Sequence, residues 1–469
     1  MPGYVELIDN FQVSGWCLQE HSNAADKVII FLGDTEIAQV PCQLPRLDLM
    51  QLGLGTGNGG FCYVHHSAFD SEALQVRAVS SGEILPRVVN ATKNIHPFRD
   101  DTPFEPIYAV VPESAPNLCE DPSSSLLTTD RKRVRFSLRA RALVPLSANL
   151  RLAPTEDEQD IHIDRLEWSD AIRDSIPKGA PNYRRISADI TVHNANEKRY
   201  ITLGLTESNS TKRSPASLQT VPFASMCIPL DYSWLRVVPE GQNITRVLGA
   251  PDSRENFATP GLNLAYQIIS LANHFLGKLN SPAILDWGIG VGRVAIPLKR
   301  VLCPDARVIG VDVDQVNAKW CMDNCPDIES SCSDFFPPLE IQSASIDLVY
   351  GISVMTHLTE GAQYAWLKEL RRILRPGGIC ILSTHGEYAF LQHTEASKSR
   401  LVMQQLSSIG ISDLLLDNNL GPLLAMKNYY RGTFQTKSQI LSQWSKYMNI
   451  IAYYPACLDL FQDIVVLQK

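Results

Sequence analysis

The chain has 469 residues, room for about three domains as a soft prior. With 45% hydrophobic and 20% charged residues it has the composition of an ordinary globular protein. The formal net charge of −8 argues against general nucleic-acid binding, which needs a basic footprint, and no apolar run approaches the roughly 18 residues of a membrane span.

The N-terminus, MPGYVELIDNF, lacks a basic start followed by an apolar stretch, so no secretory signal is read and a cytoplasmic setting is expected. The 11 cysteines are then expected as reduced thiols. Cys303, Cys321, Cys325 and Cys332 lie close in sequence, but their spacing does not repeat the paired gaps of zinc modules, so no metal is expected. The sequons at Asn90, Asn209 and Asn243 carry no weight without a secretory route.

Residues 1–98 read as a small all-β, sandwich-like module. Apolar alternation at Val28 to Leu32 and Gln75 to Val79 sits between Gly, Asp, Asn and Pro clusters. Residues 99–128 are rich in Pro, Asp, Glu and Ser and read as a linker. Residues 129–235 read as a second β-sandwich domain. In RVRFSLRARALV, Val134, Phe136, Leu138, Ala140 and Ala142 would face a core, with Arg133, Arg135, Arg139 and Arg141 opposite. That arginine row could meet an anionic group, or be a solvated face balanced by the acidic stretch at 155–160. The strand IHIDRLEW follows, and then RRISADITVHNA and RYITLGLTES with an Asn-Glu-Lys turn between them.

From 236 to 469 the pattern changes to alternating strands and helices. The helical stretch LNLAYQIISLANHFLGKL comes first. The runs AILDWG, RVIGVDV, IDLVYG and GICILSTHG are almost continuously apolar, as strands of a parallel sheet covered on both faces must be. GRVAIPLKRVL, QVNAKWCMDN and GAQYAWLKELRRIL supply helices between them. NIIAYYP and DIVVLQK follow each other without a helix and predict an antiparallel hairpin at the sheet edge. The expected fold of this part is a doubly wound, Rossmann-like α/β domain.

The first of these strands runs into Asp286, Gly288, Gly290, Gly292 and Arg293. The glycines permit a tight turn and close approach of a ligand to the backbone. The spacing is G-x-G-x-G, not the G-x-G-x-x-G of dinucleotide folds. An acidic residue before the first glycine suits a ligand carrying an ammonium and a sulfonium better than a pyrophosphate. The second strand ends in Asp312, which can accept hydrogen bonds from both ribose hydroxyls of an adenosine, and Val313 is placed to cover its adenine. Asp334 could accept from the adenine amino group and Phe335 could pack on the ring. Ser353 leaves the fourth strand at the topological switch point. Each reading has a plainer rival: helix-capping carboxylates for Asp286 and Asp312, a loop acid for Asp334, a core aromatic for Phe335.

Together these ordered motifs resemble class I S-adenosylmethionine-dependent methyltransferases. Within that class the chain looks like a branch carrying NITRVLGAPDSRENFATPG before the first strand, SVMTHLTE after the fourth, LSTHGE at the fifth and QDIVVLQK at the end. The resemblance implies that Asp286, Gly288, Gly290, Gly292 and Asp312 hold S-adenosylmethionine, and that a helix near Phe257 and Gly261 closes over it. Trp287 departs from the pattern, which usually has a smaller apolar residue there. Residues 1–65 are similar to β-sandwich modules attached to bacterial glycosyltransferases and other surface-polysaccharide proteins, on Val13-Ser-Gly15-Trp16, Pro45-Arg46-Asp48-Leu49 and Gly59-Gly60-Phe61. That implies a glycan-related setting.

The expected chemistry is direct methyl transfer, in which the enzyme mainly aligns acceptor, carbon and sulfur. His357, His385 and Glu387 lie just past the fourth and fifth strands and are candidate bases if the acceptor must lose a proton, or else residues that order their loops. Residues 390–431 form a long connection of the kind that shapes a substrate pocket. A sugar hydroxyl of a glycan or precursor is the expected acceptor, with a glycosyltransferase or another polysaccharide-assembly enzyme as a possible partner. The alternatives are a small-molecule methyltransferase, and a glycan-binding or scaffold protein whose cofactor domain no longer catalyses. A nicotinamide oxidoreductase is disfavoured by Asp286 and the glycine spacing.

Overall fold

The computed structural model describes residues 254–393 without a break and most of the rest of the chain. Outside the described residues lie 46–57, 65–72, 87–107, 121–130, 143–149, 171–182, 208–222, 241–253, 418–425 and shorter gaps. Arg46, Asp48 and Leu49 of the N-terminal resemblance, and all of NITRVLGAPDSRENFATPG before Arg254, fall there.

The N-terminal half is mostly β. Gly3–Ile8, Gln12–Cys17, Asn58–Val64 and Leu44–Pro45 form one sheet, and Thr35–Pro41, Lys27–Leu32 and Leu74–Ala78 another. Val13 and Phe61 from the first sheet share a core with Val28, Ile30 and Leu74 from the second. Fully burying each such side chain contributes roughly 1.5–3 kcal/mol.

The next region also has two sheets around one core. Val134 and Phe136 are buried while Arg133 and Arg135 are exposed, as the alternation predicts. Arg135 pairs with Asp189 on the neighbouring strand at 2.6 Å. Two expectations are corrected. Within the presumed linker, Tyr108–Pro112 and Asn117–Glu120 are strands, both paired antiparallel with Arg131–Ala142. The Pro- and Ser-rich surroundings mask two short segments whose backbone finds a partner edge. Tyr183–His193 and Tyr200–Glu207 do not form a hairpin, because they belong to different sheets. Between them Asn194 sits at φ 52° and a 3₁₀ turn at Ala195–Glu197 carries the chain across.

In the C-terminal half we number the strands β1 (Ala283–Trp287), β2 (Arg307–Asp312), β3 (Glu329–Cys332), β4 (Ile346–Gly351), β5 (Leu374–Thr384), β6 (Ile411–Leu416), β7 (Arg431–Gln435), β8 (Asn449–Leu458) and β9 (Gln462–Gln468). The helices are α1 (Arg254–Leu276), α2 (Gln315–Asn324), α3 (Glu360–Ile373), α4 (Glu387–Gln392), α5 (Arg400–Ile409) and α6 (Lys437–Trp444). Seven strands form one sheet in the order β3-β2-β1-β4-β5-β9-β8. The first five are parallel, and β9 and β8 add the antiparallel edge hairpin expected from the sequence. The order reverses between β1 and β2 on one side and β4 on the other, so a crevice opens at the C-terminal ends of these strands.

Alternate side chains leave the sheet in opposite directions. Ile284, Leu348, Ile381 and Val466 join α1 on one face, and Leu285, Val349, Leu382 and Val465 join α3 and α6 on the other. The helices start where side chains satisfy their first N–H groups: Asp314 accepts from Val316, Thr359 from Ala362 and Thr436 from Gln439. The predicted helix after the glycine turn is shorter than its pattern, running Ala295–Pro297 and then a π turn at Leu298–Leu302. The core of this half also takes in Phe223, Cys227, Trp234 and Leu235. Cys227 N–H donates to Asn263 Oδ1 of α1 at 3.0 Å, and Arg300 donates to the Trp234 carbonyl at 3.1 Å. No helix among the described residues is long and apolar enough to cross a membrane.

Candidate functional site

The crevice is built around Asp312. Gly290 N–H donates to its Oδ2 at 2.7 Å and Asp314 N–H to its Oδ1 at 2.8 Å, while its carbonyl accepts from Ser333 N–H at 2.8 Å. One residue thereby ties together the loops that follow β1, β2 and β3. Gly288 and Ile289 donate to the Val311 carbonyl at 2.8 and 3.0 Å, which folds the glycine loop over the end of β2. Gly288, Gly290 and Gly292 take φ values of 88°, 54° and 71°, which other residues rarely adopt. A Cβ on Gly288 would overlap Val354, and one on Gly292 would stand 3.0 Å from Ile296.

Asp286, at the tip of β1, is also buried and lies beside Tyr350 of β4 in the strand register. Burial pushes its carboxyl up to about 8, nearby Asp312 adds to this, and Tyr350 and Arg293 oppose it. Asp312 is pushed up to about 6, again chiefly by burial, with its backbone donors opposing. Trp287, the departure from the pattern, points away from the crevice. It packs 5.0 Å from Trp366 and fills space left by Gly351, so the glycine loop is undisturbed.

Val313, Asp314, Asp334 and Phe335 line a groove of about 810 Å³ that continues along β2 and β3 to Arg307 and Glu329. Phe335 meets the edge of Tyr429 at 4.7 Å, and the Tyr429 hydroxyl donates to the Phe335 carbonyl at 2.7 Å. Ser353 holds φ 59° at the exit of β4. Its N–H donates to Ser383 Oγ at 2.6 Å and its hydroxyl accepts from Gln462 Nε2 at 2.9 Å. Its polar groups thus bind the β5 and β9 ends together. Arg293 stands where α1 meets the glycine loop.

The three candidate bases differ in setting. His357 Nδ1 faces the Arg431 carbonyl at 3.2 Å and Asp417 at 3.5 Å, and the ring stacks on Tyr430 at 4.8 Å. A carbonyl can only accept, so Nδ1 carries the proton and Nε2 the lone pair. Burial holds this imidazole below its usual range. His385 is packed between Phe434 and Phe461, and its buried Nδ1 has no hydrogen-bond partner. Burial, with His357 and His393 nearby, pushes it down to about 3, which leaves it a weak proton acceptor. Glu387 begins α4 and is exposed, while the density of protein around its carboxyl and the nearby Asp463 push it up to about 7, with Lys437 opposing.

Sequence reasoning missed Tyr350, Tyr429, Tyr430 and Gln462. In the sequence Tyr350 is one residue of a core strand, since its alignment with Asp286 appears only in the register. Cys321, by its spacing among the other cysteines, has no role there beyond that of a candidate metal ligand. It donates from Sγ to the Gly290 carbonyl at 3.3 Å, beneath the glycine loop. Among the described residues no group of three or more His, Cys, Asp or Glu is arranged to hold a metal ion.

Residues 284–378 match the family model of a methyltransferase domain. A probable S-adenosylmethionine-dependent methyltransferase of Mycolicibacterium smegmatis is 27% identical over 132 residues, 28% of this chain and 49% of that protein. The tRNA N(3)-cytidine methyltransferase METTL2 of Bos taurus is 26% identical over 129 residues, 26% of this chain and 34% of that protein. The chain thus spans half or less of these curated relatives. Among solved structures, a protein of Pyrococcus horikoshii aligns over 49% of this chain and 99% of its own at 16% identity and a TM-score of 0.33. The Burkholderia thailandensis 1,6-didemethyltoxoflavin-N1-methyltransferase, solved with 1,6-didemethyltoxoflavin and S-adenosylhomocysteine, aligns over 45% and 78% at 14% identity and a TM-score of 0.29. The C-terminal half carries a class I S-adenosylmethionine-dependent methyltransferase domain.

Proposed function

We propose that this protein transfers a methyl group from S-adenosylmethionine to an uncharged, hydroxylated acceptor, a sugar hydroxyl of a glycan or glycan precursor. The residues fit the cofactor on two counts. The glycine loop packs too closely on Val354 and Ile296 to carry side chains at Gly288 and Gly292 and is tied to Asp312 through Gly290 N–H, and two buried carboxylates, Asp286 and Asp312, have no Lys or Arg within salt-bridge distance among the described residues. A buried carboxyl ionises only at a cost unless it gains a partner, and a ligand bearing positive charge would supply one. When bound, the cofactor supplies a methyl group made electrophilic by its sulfonium.

In this reading Asp312 accepts from the ribose hydroxyls, Val313 and Phe335 flank the adenine, Asp334 faces its amino group, and Asp286 faces the cationic end. The chain's own work is then alignment and exclusion of water. Where the acceptor must lose a proton, Glu387 and His357 Nε2 are the groups able to take it. The described parts of the segment 390–431, α5 and β6, together with Tyr430 beside His357, form the acceptor side.

The observation that carries the choice of acceptor is charge. The formal net charge is −8, so the chain as a whole repels a polyanion. This weighs against tRNA, the substrate in the name of the bovine relative, and for a neutral acceptor. The β-rich half and its resemblance to surface-polysaccharide modules favour a sugar, with a polysaccharide-assembly enzyme as a partner. The test is methyl transfer from radiolabelled cofactor to neutral oligosaccharides, planar small molecules and tRNA. Label in oligosaccharide supports the reading. Label in tRNA alone, or in a planar small molecule alone, overturns the acceptor class.

A further inference from the structure

The Tyr350 hydroxyl is a buried polar group with no hydrogen-bond partner of sound geometry. It belongs to the strand next to β1, opposite Asp286 in the register. Tyr350 is fully buried and Asp286 is 4% exposed. The charged and titratable groups facing Asp286 come from every element around it: Tyr350 from β4, Asp312 from β2, Arg293 from the glycine loop, and Cys321 from α2. Arg293 acts on it through space. A carboxylate so placed, beside another carboxylate that is already fixed by two backbone N–H groups, has little to hold its charge except that hydroxyl.

We propose that Asp286 and Tyr350 form a proton-linked latch for the cationic end of the cofactor, in which Tyr350 positions the carboxylate and binding of the cation expels the carboxyl proton. This rests on the proposed cofactor site and adds to it a role for Tyr350 and a linked proton. With the site empty the carboxyl keeps its proton, in line with the burial that pushes Asp286 up to about 8. A cation entering beside it reverses the balance. The O–H bond of the carboxyl breaks, the proton passes to solvent, and the carboxylate stays paired with the ligand and with the Tyr350 hydroxyl, which donates to it. Tyr350 is a positioning residue, since it acts through Asp286.

The experiment is calorimetric titration with S-adenosylhomocysteine, which binds without reacting, in buffers of different ionisation enthalpy near neutral pH. Wild type should release more protons than Asp286→Asn, by a difference of roughly half to one proton per site. Tyr350→Phe should bind roughly tenfold more weakly near neutral pH, and the deficit should shrink as pH rises. A purely structural tyrosine would weaken binding equally at all pH values, and that result overturns the role of Tyr350. Binding by wild type with the same proton release as Asp286→Asn overturns the latch alone. No binding by folded wild type overturns both the latch and the cofactor site on which it rests.

Discussion

Gly261 of α1 lies against the Arg293 backbone so closely that a Cβ built on it would overlap the Arg293 carbonyl oxygen. The helix and the glycine loop are therefore in backbone contact, with only a hydrogen atom between them. Gly261→Ala should push α1 off the loop and destabilise the fold by about 1–3 kcal/mol, the usual cost of overpacking. Cofactor affinity should fall with it, since α1 borders the crevice. Thermal unfolding and calorimetry on the same variant measure both. Unchanged affinity would mean that α1 does not border the cofactor.

Gly288 gives a sharper test, because its φ of 88° and its contact with Val354 both exclude a side chain. Gly288→Ala should abolish measurable cofactor binding. Gly361, near the start of α3, has open space around its would-be Cβ and ordinary φ. Gly361→Ala should leave binding intact and stabilise the helix by up to about 1 kcal/mol. Equal effects of the two changes would show that the glycine loop is not the cradle.

Much of this site was legible because the chemistry follows directly on the strands. Asp286 and Asp312 end two apolar runs, and both stand in the crevice with the glycine loop between them. Burial on both faces makes the runs of β1, β2, β4 and β5 nearly continuous, so the parallel sheet could be read from them. Relations across the sheet could not. The pairing of Tyr350 with Asp286 depends on register, and the burial of His385 depends on Phe434 and Phe461, distant in sequence. The strands within 99–128 were hidden for a similar reason, since Tyr108–Pro112 is a strand only by virtue of its neighbour.

The buried carboxyls set a pH dependence for the ligand-free protein. Burial raises the Asp286 and Asp312 carboxyls to about 8 and about 6, above the ordinary carboxylate range. A raised acid favours the folded state fully below its unfolded pKa, and that benefit is lost as pH rises through the folded value. Between about pH 4 and pH 8 the unfolded chain gives up protons that the folded chain retains. Wild type should therefore lose stability over this window relative to Asp286→Asn, by at least about 1 kcal/mol at the upper end. Parallel melting curves for the two proteins across that range would contradict this.

His385 should prove to be a packing residue. Its ring stacks on Phe434 at 5.2 Å and meets Phe461 at 5.4 Å, while its buried Nδ1 lacks a partner. His385→Phe keeps the ring contacts and removes an unsatisfied polar atom together with a ring contact to the Thr433 backbone, so the two effects offset and stability should change by no more than about 1 kcal/mol. Methyl transfer should persist within a few-fold. A fall of about a hundredfold or more at unchanged cofactor affinity would instead make His385 the base.

Glu387 and His357 are then the two candidate bases, and their environments separate them. Glu387 is open to solvent and raised to about 7, where a carboxylate is both available and basic enough to act near neutral pH. His357 is held low by burial, and its Nδ1 proton is engaged by the Arg431 carbonyl, so only Nε2 can accept. If Glu387 is the base, Glu387→Gln should slow single-turnover transfer by about a hundredfold or more without weakening cofactor binding. His357→Gln would then cost less, through loosening of Tyr430, which stacks on it at 4.8 Å, and would appear mainly in the acceptor KM. The reverse pattern would assign the base to His357. Small effects from both would mean that the acceptor needs no base and that alignment alone drives transfer.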